Sequence, residues 1–323
     1  MHDPRLVPIC QPSLVLAAFP LGDCGKAMAD LLIGVRNKFF AGDHQGALQE
    51  IEGMLSRGEG PRAEVEVFLY RCNIAQGKYK FVKSSIAPDA SSPVLLSLRL
   101  LASYYDTENH APILESLSQM ERDSHFAGNT IFRTVQSVIL SHEDRLEEAF
   151  TCLQNLPDSL EIFALRINLL LTMNRIPLAA QELAKMRGIN SEATITRLAA
   201  AVVALHQDQV DDALGTYQDL KEKYGATSYL LAAQAAAILR KKPRDLANAT
   251  TLLKEALRAA PYNYDAMASL LVCYLHRMAP EDIAQADFLR RQLQTEAPWH
   301  PYVTRMKNAE AALNAAVAMV QPQ

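Results

Sequence analysis

From about Ala29 onward the chain alternates helix-length runs, with apolar positions three and four apart, and short polar turns. Residues at that spacing share one face of a helix, so each run reads as an amphipathic helix. Period-two alternation is almost absent and β-branched residues never dominate a run bounded by turn signals, so the pattern predicts an all-α chain. The first 28 residues read differently. Pro4, Pro8, Pro12 and Pro20 interrupt them, which excludes one long helix and predicts an irregular N-terminal arm.

The turns recur. Gly42-Asp43-His44-Gln45-Gly46-Ala47 is echoed by Gly77-Lys78-Tyr79-Lys80-Phe81-Val82, and then by hinges ending in Ala149, Ala179, Ala213 and Ala249. The last four small residues lie 30, 34 and 36 residues apart, which brackets the 34-residue tetratricopeptide period. Packing explains the pattern. The hinge turns the chain between two antiparallel helices, and the small residue lets the second approach the first. Positions four and seven further on supply that helix's apolar stripe: Leu153 and Leu156, Leu183 and Met186, Tyr217 and Leu220, Leu253 and Ala256. A repeat around Leu98 to Gln119 is inferred from the gap its neighbours leave. The expected organisation is an arm over residues 1–28, a solenoid of seven or eight tetratricopeptide-like hairpins over 29–297, and a connection with a capping helix over 298–323. Together the hairpins form an α-solenoid curved into a superhelix, because each has a face only its neighbours can bury. Trp299 is expected to pack at the solenoid end.

The 323 residues are 49% apolar and 21% charged, with a formal charge of −4, which suits a packed core. It argues against a general nucleic-acid binder, whose affinity rests on a basic surface. The apolar stretch Leu14 to Phe19 is too short for a membrane span and lacks the flanks of a secretory signal. The sequence thus reads as soluble and cytosolic, with membrane contact only through partners. Five scattered cysteines without a CxxC pair read as free thiols. The run Arg240 to Asp245 reads as a lengthened hinge with a local positive patch.

Chemistry is sparse. There is no phosphate-binding glycine loop, no HExxH zinc helix and no histidine or cysteine cluster at metal-ligand spacing. His44, His206 and His276 read as surface or capping residues, and the pairs Glu147-Glu148 and Asp211-Asp212 as acids favouring the N-termini of second helices. No catalytic residue, metal or cofactor is predicted. The function is then expected at the inner surface, lined by the first helix of each hairpin. By register from the hinges the inward stripe is Phe39, Phe40, Val67, Arg71, Ile74, Val138, Asn168, Leu171, Leu198, Val202, Leu205, Val272 and Leu275. It is notably apolar, as a groove would be that holds a partner segment by burial. On this reading, aspartate at Phe40 or Val202 weakens partner binding with little damage to the fold.

The run Arg36-Asn37-Lys38-Phe39-Phe40-Ala41-Gly42-Asp43, the segment from Glu66 to Tyr79 with Phe68-Leu69-Tyr70-Arg71 at its centre, and Ala179-Ala180-Gln181-Glu182-Leu183-Ala184-Lys185-Met186 carry a resemblance. So do Glu192 to Ala199, Gln234-Ala235-Ala236 and Leu253-Lys254-Glu255-Ala256-Leu257. From about Asp30 to the final helix the chain resembles the epsilon subunits of coatomer, the COPI vesicle coat. The proline-containing arm and the long hinge at Arg240 depart from the family pattern.

The resemblance implies a non-catalytic coat component that wraps its superhelix around the C-terminal domain of the coatomer alpha subunit, forming a heterodimer within the heptameric coatomer. It further implies a cytoplasmic protein held on Golgi membranes and COPI vesicles through the complex, acting in retrograde and intra-Golgi transport. The alternative at the level of the repeats is another tetratricopeptide adaptor, such as a membrane-fusion attachment factor or a chaperone cofactor.

Overall fold

The structure, a computed structural model, describes residues 31–60, 62–242 and 244–320, the side chains of the last three excepted. The expected arm over 1–28 lies outside the described residues. Among them every regular element is a helix. Eight pairs follow one another: α1 (Ile33–Phe40) with α2 (His44–Arg57), α3 (Arg62–Ala75) with α4 (Tyr79–Ser85), and α5 (Pro93–Tyr105) with α6 (Ala111–Arg122). After the four-residue α7 (Ser124–Ala127) come α8 (Thr130–His142) with α9 (Leu146–Gln154) and α10 (Leu160–Thr172) with α11 (Ile176–Asn190). The remaining pairs are α12 (Thr194–His206) with α13 (Val210–Tyr224), α14 (Ser228–Arg240) with α15 (Leu246–Ala259), and α16 (Tyr264–Arg277) with α17 (Pro280–Glu296). The last helix, α18 (Pro301–Val320), stands alone. The gap around Leu98 to Gln119 holds α5 and α6.

One hydrogen bond recurs among the hinges. In five of them, the amide three residues past the end of the first helix reaches a carbonyl five residues back: Asp43 to Lys38, Lys78 to Asn73, Arg145 to Leu140, Arg175 to Leu170 and Gln209 to Ala204, all at 2.7–2.9 Å. This closure, the Schellman motif, requires a left-handed residue in the turn. Gly42, Gly77, Asp144, Asn174 and Asp208 occupy it with φ of 59–83°. Most first helices then begin on a side-chain cap, as Ser92, Asn129, Ser159, Thr227 and Asn263 accept from the amides of Leu95, Phe132, Ile162, Leu230 and Ala266. The cap satisfies a helix-end N–H that has no partner within the helix.

Once turned, the two helices of a pair bury differently. Ala47, Val82, Ala149, Ala179, Ala213 and Ala249 are fully buried, as are the stripes that follow them except for half-buried Leu156. Second helices bury that single stripe: only Ala179, Leu183 and Met186 in α11. First helices are buried more widely, and in the later pairs on all sides, with every residue from Glu161 to Leu171 of α10 and from Ser228 to Ala237 of α14 inside. A helix enclosed all round lies within a core. First helices therefore sit at the centre of a coil and second helices on its outside.

The coil closes on itself. The hinge after α1 meets the start of α14, where Thr227 Oγ1 donates to the Ala41 carbonyl at 2.5 Å. The hinge after α3 meets the residues before α16, with Gly77 facing Tyr262. The end of α5 meets the residues before α18, where the rings of Tyr105 and Trp299 lie 4.5 Å apart. Each contact joins one hairpin to the position six hairpins later. Trp299 thus packs across a seam between successive turns and not at an end. Nor does α18 cap the solenoid along its length: Val303 is buried, but residues 307–317 are exposed, Leu313 by 63%.

The positive run at Arg240 is answered by the preceding hinge, Lys241 by Asp211 at 2.7 Å and Arg240 by Asp208 at 3.9 Å. Cys72, Cys152 and Cys273 are free thiols, with burial pushing Cys72 up to about 12 and Cys273 to about 11.

Candidate partner-binding interior

The inward stripe is brought together, but inside the chain's own core. Phe39, Phe40, Val67, Arg71, Ile74, Val138, Asn168, Leu171, Leu198, Val202, Leu205 and Val272 are all buried, whereas Leu275 is 50% exposed. One continuous cluster joins Phe39, Phe40 and Phe68 of the first two pairs to Leu171, Leu198, Val202, Leu205 and Tyr229 of the later ones. A second joins Val67, Ile74 and Val138 to Leu165, Leu169 and Trp299. The reason is the tight winding. With the seventh hairpin already resting on the first, first helices meet across the axis and fill it with side chains. Val67 lies near an opening, an apolar groove of about 450 Å³ with Val94, Leu95 and Ile131 beside it and Glu64 and Glu66 at its rim.

Polar members of the stripe are held internally. The Arg71 guanidinium lies over the rings of Phe39 and Phe68 at 4.7 and 4.5 Å. Burial lowers its pKa to about 10 and Glu161 opposes that shift, so Arg71 keeps its charge at neutral pH. Asn168 Oδ1, Thr196 Oγ1 and Ser269 Oγ are buried on α10, α12 and α16 without a protein hydrogen-bond partner.

Sequence reasoning missed the seam. Besides Thr227 to Ala41, Thr194 Oγ1 donates to Asn37 Oδ1 at 2.9 Å, and an added Cβ at Gly42 would fall 2.5 Å from Tyr229 Cβ. At the third contact Tyr105 Oη and His142 Nε2 are 3.1 Å apart, and the His142 ring lies 5.5 Å from Trp299. Nearby, Glu143 accepts from Tyr104 at 2.6 Å and pairs with His110 at 2.7 Å. The signal was present in the hinges: the left-handed position is glycine at 42 and 77, where a turn stacks on the next, and Asp or Asn at 144, 174 and 208, where it faces solvent.

The histidines divide in the same way. His44, at the first position of α2, is half-buried and stacked 5.3 Å from Phe39, and burial lowers it to about 4. His206 donates from Nδ1 to the Val202 carbonyl at 2.9 Å, and His276 is exposed. Glu147-Glu148 and Asp211-Asp212 do lie in the first turns of α9 and α13. Among the described residues no group of three or more His, Cys, Asp or Glu side chains has the arrangement to hold a metal ion. No helix there is long and apolar enough to cross a membrane.

The coatomer subunit epsilon of Dictyostelium discoideum is 30% identical over 292 residues, 87% of this chain and 96% of that protein. That of Caenorhabditis elegans is 30% identical over 88% of this chain and 96% of its own length. The crystal structure of the yeast Tom70 aligns with 96% of this chain and 71% of that one, at 14% identity and a TM-score of 0.46. The family model for the coatomer epsilon subunit matches residues 28–321, and with relatives matched over nearly their whole length, the chain belongs to the coatomer epsilon subunit family.

Proposed function

We propose that the chain is a structural, non-catalytic subunit of the COPI coat that holds the C-terminal domain of the coatomer alpha subunit within its coil, as a heterodimer inside the heptameric complex. Membrane association is then indirect, through the coat on Golgi membranes and vesicles, in retrograde transport to the endoplasmic reticulum and within the Golgi. The supporting observation is the composition of the coil's interior: apolar side chains from almost every hairpin, with unpaired hydrogen-bonding atoms at Asn168, Thr196 and Ser269. An extended segment would satisfy such atoms through its backbone, and a buried polar group without a partner is costly. In the closed chain these residues are covered, so holding a segment there requires the turns of the coil to part.

The test is coexpression with the C-terminal domain of the alpha subunit, followed by purification through a tag on this chain. A one-to-one complex that survives moderate salt, and in which Val202 and Leu205 gain protection from hydrogen exchange, is the expected result. Recovery of the chain alone would overturn the assignment of the partner.

A further inference from the structure

We infer that the seam between successive turns is a latch, a contact that must open while the hairpins on either side stay folded before the interior admits a segment. The inference rests on the proposed binding of a partner inside the coil and specifies how that binding is controlled. The partner-facing candidates belong to two kinds of contact. Within a turn, neighbouring hairpins share long buried faces whose loss would unfold them. Between turns, α1 meets α12, and helix ends add Thr227 on the Ala41 carbonyl, Thr194 on Asn37, the Gly42 backbone against Tyr229, Gly77 against Tyr262, and Trp299 against Tyr105 and His142.

These contacts join hairpins five or six apart, and they lie at helix ends beside the face on which α1 meets α12. Parting them separates the turns, α1 from α12 included, while each hairpin keeps the neighbours it has along the chain. The interior is covered for as long as they hold, because the first helices of the early pairs lie against those of the later ones. Opening and partner entry are therefore linked. A segment that binds only the open coil is admitted in proportion to the open population, and a weaker seam raises that population.

The chain carries a single tryptophan, Trp299, so 5-fluorotryptophan gives one fluorine resonance located in the seam. Thr227→Asp is the discriminating variant. Aspartate still caps α14 but removes the donor to the Ala41 carbonyl and sets a carboxylate against it. In the free full-length chain the fluorine line should exchange with a minor solvent-exposed form. Thr227→Asp should enlarge that form roughly three- to tenfold, the range expected for one lost hydrogen bond, at unchanged helicity by circular dichroism. Association with the purified C-terminal domain of the alpha subunit should accelerate by the same factor. If Trp299 becomes exposed only on global unfolding, or if Thr227→Asp opens the seam without speeding association, the latch is wrong. If the seam opens as described and wild type ignores the domain, the latch stands and the partner reading falls.

Discussion

The Thr227 hydroxyl donates to the carbonyl of Ala41, 186 residues earlier, at 2.5 Å, while accepting the amide of Leu230 as the cap of α14. One side chain thus begins a helix and fastens that helix to the previous turn of the coil. Beside it, Gly42 has φ of 83°, and a Cβ there would fall 2.5 Å from Tyr229 Cβ.

Substitution at this hinge should therefore cost far more than at an open one. Gly42→Val combines strained backbone with overlap against Tyr229, and we expect a loss of roughly 2–4 kcal/mol in urea unfolding. Asn174 occupies the same left-handed position at an exposed hinge with φ of 59°. Asn174→Gly should change stability by less than about 1 kcal/mol, because glycine accepts that conformation. Equal losses would mean that the seam contributes nothing to the fold.

Burial also revises what substitutions in the stripe report. Val202 is enclosed and Phe40 nearly so, so Val202→Asp and Phe40→Asp each force a carboxylate into an apolar core. Both should lose at least about 3 kcal/mol, and weaker partner binding would then follow from unfolding. Leu275 is half exposed. Leu275→Asp should alter stability by less than about 0.5 kcal/mol, so its effect on pulldown of the alpha-subunit domain reads contact alone. A Val202→Asp protein that melts like wild type would show that the interior is open.

The helices, hinges and small residues were legible because they are local. An alanine after each hinge and an apolar stripe four and seven positions on depend only on one hairpin's own geometry. Whether the inner stripe faces an open groove depends instead on how many hairpins complete a turn, and that follows from small rotations accumulated over many repeats. Locally they leave only the glycines at 42 and 77 as a trace. Register puts Leu198 and Val202 on the inward stripe, and in the structure they share one buried cluster with Phe39 and Phe40, more than 150 residues earlier. Trp299 shows the same limit, since its partners Tyr105 and His142 belong to other hairpins.

Acid should loosen the chain through two half-buried histidines, His44 and His142. Burial lowers His44 from 6.5 to about 4 and His142 from 6.5 to about 3, with His300 and His110 adding repulsion at His142. Asp43 opposes the shift at His44, whereas Tyr105, Tyr104 and Trp299 face His142. Both groups are neutral in either state above the unfolded value. Below about pH 6.5 the unfolded chain takes up protons that the folded one excludes, so stability falls with pH until about 4 and 3, respectively. Each contributes a slope of at most about 1.4 kcal/mol per pH unit. Urea midpoints from pH 7.5 to 4.5 should decline, and the decline should be shallower in His142→Gln. A flat profile over that range would show that these rings are hydrated.

The final helix should be dispensable for stability over most of its length. Its first turn is anchored by the buried side chain of Val303, with Thr304 bonded back through its amide to His300 at 3.1 Å. His300 is itself enclosed, with Nε2 3.2 Å from Asp265 Oδ1. From Lys307 to Val317 every residue is exposed, so removing them uncovers little apolar surface that water does not already reach. Truncation after Lys307 should therefore shift the melting temperature by no more than about 2 °C, since such a shift in a chain of this size corresponds to under about 1 kcal/mol. Trp299 emission should stay at its native wavelength. Truncation after Ala297 is the contrasting case, because it removes Trp299, His300 and Val303 together and opens the third seam contact. A large loss on the shorter truncation would show that the exposed face of α18 is packed in solution.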